Sequence, residues 1–167
     1  MQLNNLNQLP LSQLKAELSK WCGSSAWVEE MVGFFPFSTK EHLLQKADDI
    51  WKGLTKEDWL EAFQHHPKIG DIKSLREKFA STAKWASGEQ ASVQQAPEQI
   101  IEQLAKGNHH YEAKFGYIFI VCATGKSAEE MLQILKSRLP NKAEDELMIA
   151  AAEQARITKI RLEKLLA

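Results

Sequence analysis

The sequence predicts an all-α protein: a single-domain multi-helix bundle over residues 1–167, broken by one short extended, buried segment near 117–123. Three observations carry that expectation. Apolar residues recur at helical spacing along most of the chain. Residues that start and stop helices bound those stretches. One stretch, Phe115 to Ala123, is instead dense in β-branched and aromatic residues, which favour extended backbone.

Taken in order, Leu11, Leu14 and Leu18 share one face of a first helix that stops at Gly23, a natural C′ residue. Ser25 caps a short second helix ending near Gly33. Ser38 to Glu41 reads as a capping box and opens a helix burying Leu43, Leu44, Ala47, Ile50 and Trp51. Thr55 to Asp58 starts another, with Trp59, Leu60 and Phe63 as its apolar side and Pro67 as its stop. Asp71 caps a helix through about Ala83. Ala83 to Ala96 is the most polar interval and reads as a loop. Pro97 fits the first position of a helix running to Gly107. Ser127 to Glu130 is a second capping box, and its helix ends at Pro140. The last helix starts after Asn141 and runs to about Leu166, offering Leu147, Ala150, Ala151, Ile157, Ile160 and Leu165 for burial. The extended segment has no evident sheet partner, yet its backbone N–H and C=O groups need partners. Helix ends, water or a bound polar ligand can supply them, so this segment is a candidate ligand wall.

Bulk properties exclude several functions. Among 167 residues, 44% are hydrophobic and 26% charged, as expected of a soluble globular domain. A net charge of -1 with both signs interspersed argues against nucleic-acid and anionic-membrane partners. The apolar runs are too short to span a bilayer. Met1 to Asn5 has no basic-then-apolar pattern and does not read as a signal peptide. Cys22 and Cys122 belong to no CxxC pair, so a reducing, cytoplasmic setting without disulfides is expected.

The chemistry concentrates on His66-Pro67-Lys68-Ile69-Gly70. Proline after His66 disfavours helical backbone at the histidine and parks the imidazole at a helix C-terminus. A lone histidine is more often a surface or satisfied core residue, but this setting suits acid–base work near neutral pH. Glu89 can stand as its carboxylate partner, although Glu at a helix start is also an ordinary dipole partner. Ala86-Ser87-Gly88-Glu89-Gln90 offers first-turn N–H groups that bind carboxylates and ureido oxygens. The doublets His65-His66 and His109-His110 raise the question of a metal, but no HExxH or Cys/His ligand spacing accompanies them, and no metal is expected. Arg138 complements the dipole of the helix it ends. Arg161 either snorkels along its helix or presents its planar fork to a substrate carboxylate.

These pieces, in this order, resemble the 2-oxo-4-hydroxy-4-carboxy-5-ureidoimidazoline (OHCU) decarboxylase family over nearly the whole chain. The resemblance is carried by Phe63 to Asp71, Glu89 to Ala91, Tyr111 to Ala123 with Gly125, Arg138-Leu139 with Asn141 and Glu146, and Lys159 to Leu162. It implies an all-α, cofactor-free homodimeric cytosolic enzyme that forms (S)-allantoin from OHCU. By the same resemblance His66 matches the catalytic acid–base and Glu89 its polar partner. Pro67, the segment Ala86, Ser87, Gly88 and Gln90, and the backbone of Phe119, Ile120, Val121, Cys122 and Ala123 match substrate contacts. Many members resemble Ser-x-x-Glu-Gln, whereas this chain has Ala86 three before Glu89, with Ser87 beside it. The competing expectations are a non-catalytic helical module that binds a small ureide or a partner helix, and a metal-dependent hydrolase built on the histidine doublets.

Overall fold

Four helix starts in this chain are set by short polar side chains that accept the first free backbone N–H groups. In the computed structural model, which describes residues 1–66, 73–77, 79 and 97–167, Thr55 and Asp58 form a reciprocal capping box. Ser127 accepts from the Glu130 N–H at 3.2 Å. Two starts fall one residue from their expected place. Ser24, not Ser25, caps its helix, because Ser24 keeps the extended backbone and its hydroxyl accepts from the Trp27 N–H. Ser25 is instead held by Glu61, which accepts from its N–H at 2.5 Å and its hydroxyl at 2.8 Å. Likewise Thr39, not Ser38, caps the following helix by accepting from the His42 N–H.

The resulting helices are α1 (Leu3–Asn7), α2 (Leu11–Trp21), α3 (Ser25–Val32), α4 (Lys40–Lys52), α5 (Lys56–Gln64), α6 (Pro97–Phe115), α7 (Ala128–Arg138) and α8 (Ala143–Leu165). Residues 73–77 and 79 are also helical. No strand occurs among the described residues, so the all-α expectation holds. The segment 117–123 is non-helical and buries Tyr117, Ile120 and Cys122. Pro67, the Asp71 cap and the loop reading of Ala83 to Ala96 lie outside the described residues.

The chain divides into two units. The first comprises Met1–His66, Ile120–Cys122 and Ile149–Ala167. There α2 packs on α3, and α3 packs on α4 and α5. Leu6, Leu18, Trp27, Met31, Leu43, Phe63 and Leu162 are fully buried in its core. Each such side chain contributes about 1.5–3 kcal/mol of burial. Indole N–H groups inside this unit find carbonyls: Trp27 donates to Ala47 at 3.0 Å and Trp51 to Ala151 at 2.8 Å. Leu11, expected inside, is exposed, and Leu14, Leu18 and Trp21 form the buried stripe of α2. On α8 the buried face of this unit is Ala150, Ala151, Gln154, Thr158 and Leu162, while Ile157, Ile160 and Leu165 are only partly covered.

The second unit comprises Pro67–Phe119 and Ala123–Met148. Here α6 packs along α7. Gly107 does not end α6, which continues to Phe115, because the missing side chain is needed where the Leu135 side chain crosses the helix. The helix stops instead at Gly116, whose φ of +84° is the left-handed conformation glycine tolerates and whose N–H donates to the Glu112 carbonyl at 2.9 Å.

Candidate active site

The site is built on the end of α5. His65 is the C-cap, and the His66 N–H donates to the Phe63 carbonyl at 3.3 Å, so the last turn delivers His66 directly after the helix. His65 is exposed and His66 half-buried, which separates the two members of the doublet as adjacent residues on a turn should be. Gly23 makes this placement possible. A Cβ there would sit 2.5 Å from the His65 Cβ, so only glycine allows the α2–α3 connection to approach the turn so closely. Its role is that approach, since its backbone does not take positive φ.

Inside the first unit the His66 Nε2 hydrogen-bonds the Gln154 side-chain oxygen. Gln154 Nε2 donates to Thr158 Oγ1 at 3.1 Å, and Thr158 Oγ1 donates to the Trp21 carbonyl at 3.3 Å. Gln154 and Thr158 are both buried, on one face of α8 four residues apart. Burial holds the His66 pKa below its ordinary value of 6.5, and the nearby Arg161 charge lowers it further against the Gln154 hydrogen bond. The ring is therefore neutral at pH 7. Burial pushes the Cys22 thiol up to about 12, so Cys22 stays an inert thiol.

Arg161 is half-buried and donates from Nη1 to the Trp21 carbonyl at 3.3 Å and the Lys20 carbonyl at 3.5 Å. One arm of its fork thus closes the C-terminus of α2, where a cation meets the negative end of the helix dipole. Ile120, Val121 and Cys122 belong to the same unit, and the Cys122 N–H donates to Glu153 at 3.3 Å, one residue from Gln154 on α8. Phe119 and Ala123 belong to the second unit. Pro67, Ala86, Ser87, Gly88, Glu89 and Gln90 lie outside the described residues. A cleft of about 650 Å³ in the first unit, between α4 and α8, is lined by Thr158 but by neither His66 nor Arg161.

In the second unit Arg138 and Glu146 form a buried ion pair at 2.6 Å. The Tyr111 hydroxyl also donates to Glu146, and Asn141 Nδ2 donates to it at 3.2 Å. The guanidinium lies 4.7 Å from the Phe119 ring centroid. Arg138 is thus committed inside the fold, beyond a simple dipole role. Burial, and then the Glu146 hydrogen bond, raise the Tyr111 pKa, so its hydroxyl keeps its proton. His109 and His110 stand exposed on α6. Among the described residues no group of three or more His, Cys, Asp or Glu is gathered to hold a metal ion.

A model of the OHCU decarboxylase family matches residues 7–163. The chain belongs to the OHCU decarboxylase family. It is 39% identical over 147 residues to the "uric acid degradation bifunctional protein TTL" of Arabidopsis thaliana, covering 86% of this chain and 44% of that one. It is 28% identical over 161 residues to the "uric acid degradation bifunctional protein PucL" of Bacillus subtilis, covering 96% of this chain and 32% of that one. The chain therefore spans less than half the length of these relatives. A crystal structure of an OHCU decarboxylase in the presence of (S)-allantoin matches with a TM-score of 0.73 and 37% identity, over 90% of this chain and 96% of that one.

The sequence singles out His66 and Arg161, and the structure adds Gln154 and Thr158, which hydrogen-bond in a line behind His66 and were not singled out. The signal was present. Gln154 and Thr158 fall on the same helical stripe as Ala150, Ala151 and Leu162. Two hydrogen-bonding side chains on an otherwise apolar, buried stripe require partners.

Proposed function

We propose that this chain catalyses the cofactor-independent decarboxylation of OHCU to (S)-allantoin and CO2, with His66 as general acid–base and Glu89 as its polar partner. The observation that carries the reading is the family match over residues 7–163, which includes His66 in its His-Pro-Lys-Ile-Gly setting. The neutral, half-buried imidazole at the end of α5 supports it, being a proton acceptor ready at pH 7.

The chemistry needs no external electron sink. The substrate carries a carboxylate and a hydroxyl on one ring carbon beside a C=N bond. As the bond to the carboxylate breaks and CO2 leaves, its electron pair forms a C=C bond to the neighbouring ring carbon. The C=N pair moves onto nitrogen, which takes a proton. The resulting enol gives up its O–H proton while the neighbouring carbon gains one on a single face, which sets the (S) configuration. His66 handles the hydroxyl proton, and Glu89 polarises the same region. Pro67, Ala86, Ser87, Gly88 and Gln90 line the substrate. The backbone of Phe119, Ile120, Val121, Cys122 and Ala123 fixes the ureido and ring carbonyls. Arg161, with one arm on the α2 carbonyls, offers the rest of its fork to the departing carboxylate. The single-domain organisation, the homodimer and the cytoplasmic location belong to the same proposal and rest on the family resemblance.

The test is to follow freshly generated OHCU by circular dichroism and ultraviolet absorbance with and without the full chain. Accelerated decay with CO2 release and a single-enantiomer allantoin signal is expected. Saturable binding without CO2 release would replace the enzyme with a ureide-binding module. Activity lost on chelation and restored by a metal would replace it with a metal-dependent reaction.

A further inference from the structure

An imidazole doing proton transfer has two distinct nitrogens, and the hydrogen bond at one decides the chemistry of the other. The chain of bonds behind His66 has a direction. The Trp21 carbonyl oxygen can only accept. Thr158 Oγ1, 3.3 Å away, donates to it, and the neighbouring Cys22 thiol, kept protonated by burial, is too weak an acceptor to compete, which commits the single hydroxyl proton. The 3.1 Å contact from Gln154 therefore falls on a Thr158 lone pair and must come from the Gln154 NH2 group. An amide so oriented turns its carbonyl oxygen to His66, and an oxygen without a proton is met by an N–H.

We infer that Gln154 and Thr158 are positioning residues that hold His66 as its Nε2–H tautomer and leave Nδ1 as the atom that takes and returns protons. The tautomer follows from the geometry alone; its catalytic meaning rests on the decarboxylase reading. The relay is buried, with Gln154 1% and Thr158 6% exposed, so bulk water has little access to these bonds although Thr158 borders the cleft between α4 and α8. Turning the amide over would make Thr158 donate to Gln154, leaving the Trp21 carbonyl to Arg161 and this buried site one hydrogen bond poorer. Among the described residues the charged and titratable groups acting on the ring are Arg161 of α8 and His65 of its own turn, and neither bonds the Nε2 position.

The test is a two-bond 1H–15N side-chain spectrum of the full chain labelled at its five histidines, recorded above pH 7. The His66 signals are assigned by their loss in His66→Asn. The wild-type chain is expected to show the Nε2–H pattern, and Thr158→Ser to preserve it. Thr158→Val, which frees the amide to turn, is expected to show mixed tautomers. Its kcat is expected to fall by about tenfold with KM little changed, a part of the 10²–10⁴-fold contribution of general acid–base catalysis. An Nδ1–H pattern in the wild-type chain overturns the inference, whether or not the valine variant folds. So does a valine variant with unchanged tautomer and unchanged kcat. Normal turnover by His66→Asn beside an Nε2–H spectrum would remove the catalytic half and the acid–base assignment, and leave the tautomer assignment standing.

Discussion

Two buried polar networks sit in this chain, one in each unit, and they are built to opposite ends. In the second unit Arg138, Glu146, Tyr111 and Asn141 form a charged set around one buried ion pair. The first-unit network is neutral and open: Trp21, Thr158 and Gln154 form a line that ends on a half-buried imidazole. The charged set holds the Glu146 carboxylate against the Arg138 guanidinium and stabilises. The open line engages Nε2 of His66, and on the proposed function Nδ1 carries the chemistry. Burial alone therefore does not mark a polar residue as functional; what matters is whether the network terminates on a group that can still exchange a proton.

The contrast is broken most directly by truncating each network. Glu146→Ala leaves the Arg138 charge buried and uncompensated, and a loss of about 3–5 kcal/mol in urea unfolding is expected. Thr158→Val removes two neutral hydrogen bonds, with an expected cost of about 1–3 kcal/mol and a disproportionate effect on turnover. Equal stability losses from the two would erase the distinction. Gly23→Ala tests how the open network is delivered. The new Cβ meets the backbone-proximal part of His65 and forces the turn to shift, at about 1–3 kcal/mol in thermal or urea melts, with a fall in kcat because His66 follows directly.

The pH response sharpens the comparison with a smaller effect. His66 has its folded pKa below the 6.5 of the unfolded chain, so the unfolded state binds more protons between those two values. Stability is expected to fall as pH drops from about 6.5 through the folded pKa, and to be regained as pH rises again. His66→Asn should flatten that part of the stability curve. The acid limb of kcat/KM in the wild-type chain should lie below pH 6.5 for the same reason. An acid limb above 6.5 would mean that the ring is stabilised in its charged form.

Much of this was legible from the residues. The helix starts at Thr55, Pro97 and Ser127 follow from side-chain caps and proline preference, which are local. The exposed His65 beside the half-buried His66 follows from adjacent residues pointing in different directions. What was not legible depends on long-range approach. Gly107 reads as a stop until Leu135 is seen to cross it, and Gly23 reads as a cap until His65 is seen against it. Arg138 reads as a dipole partner because Tyr111, 27 residues away in sequence, cannot be paired with it by spacing alone. Gln154 and His66 are separated by 88 residues, so only a buried amide on an apolar stripe hinted that the pair existed.

The central claim is that His66 moves the proton. It is tested by single-turnover decay of freshly generated OHCU with the His66→Asn chain, once circular dichroism and urea unfolding show that its fold is intact. A fall of about 10²–10⁴-fold in the rate of (S)-allantoin formation is expected. A rate within a few-fold of the wild-type chain would contradict the account.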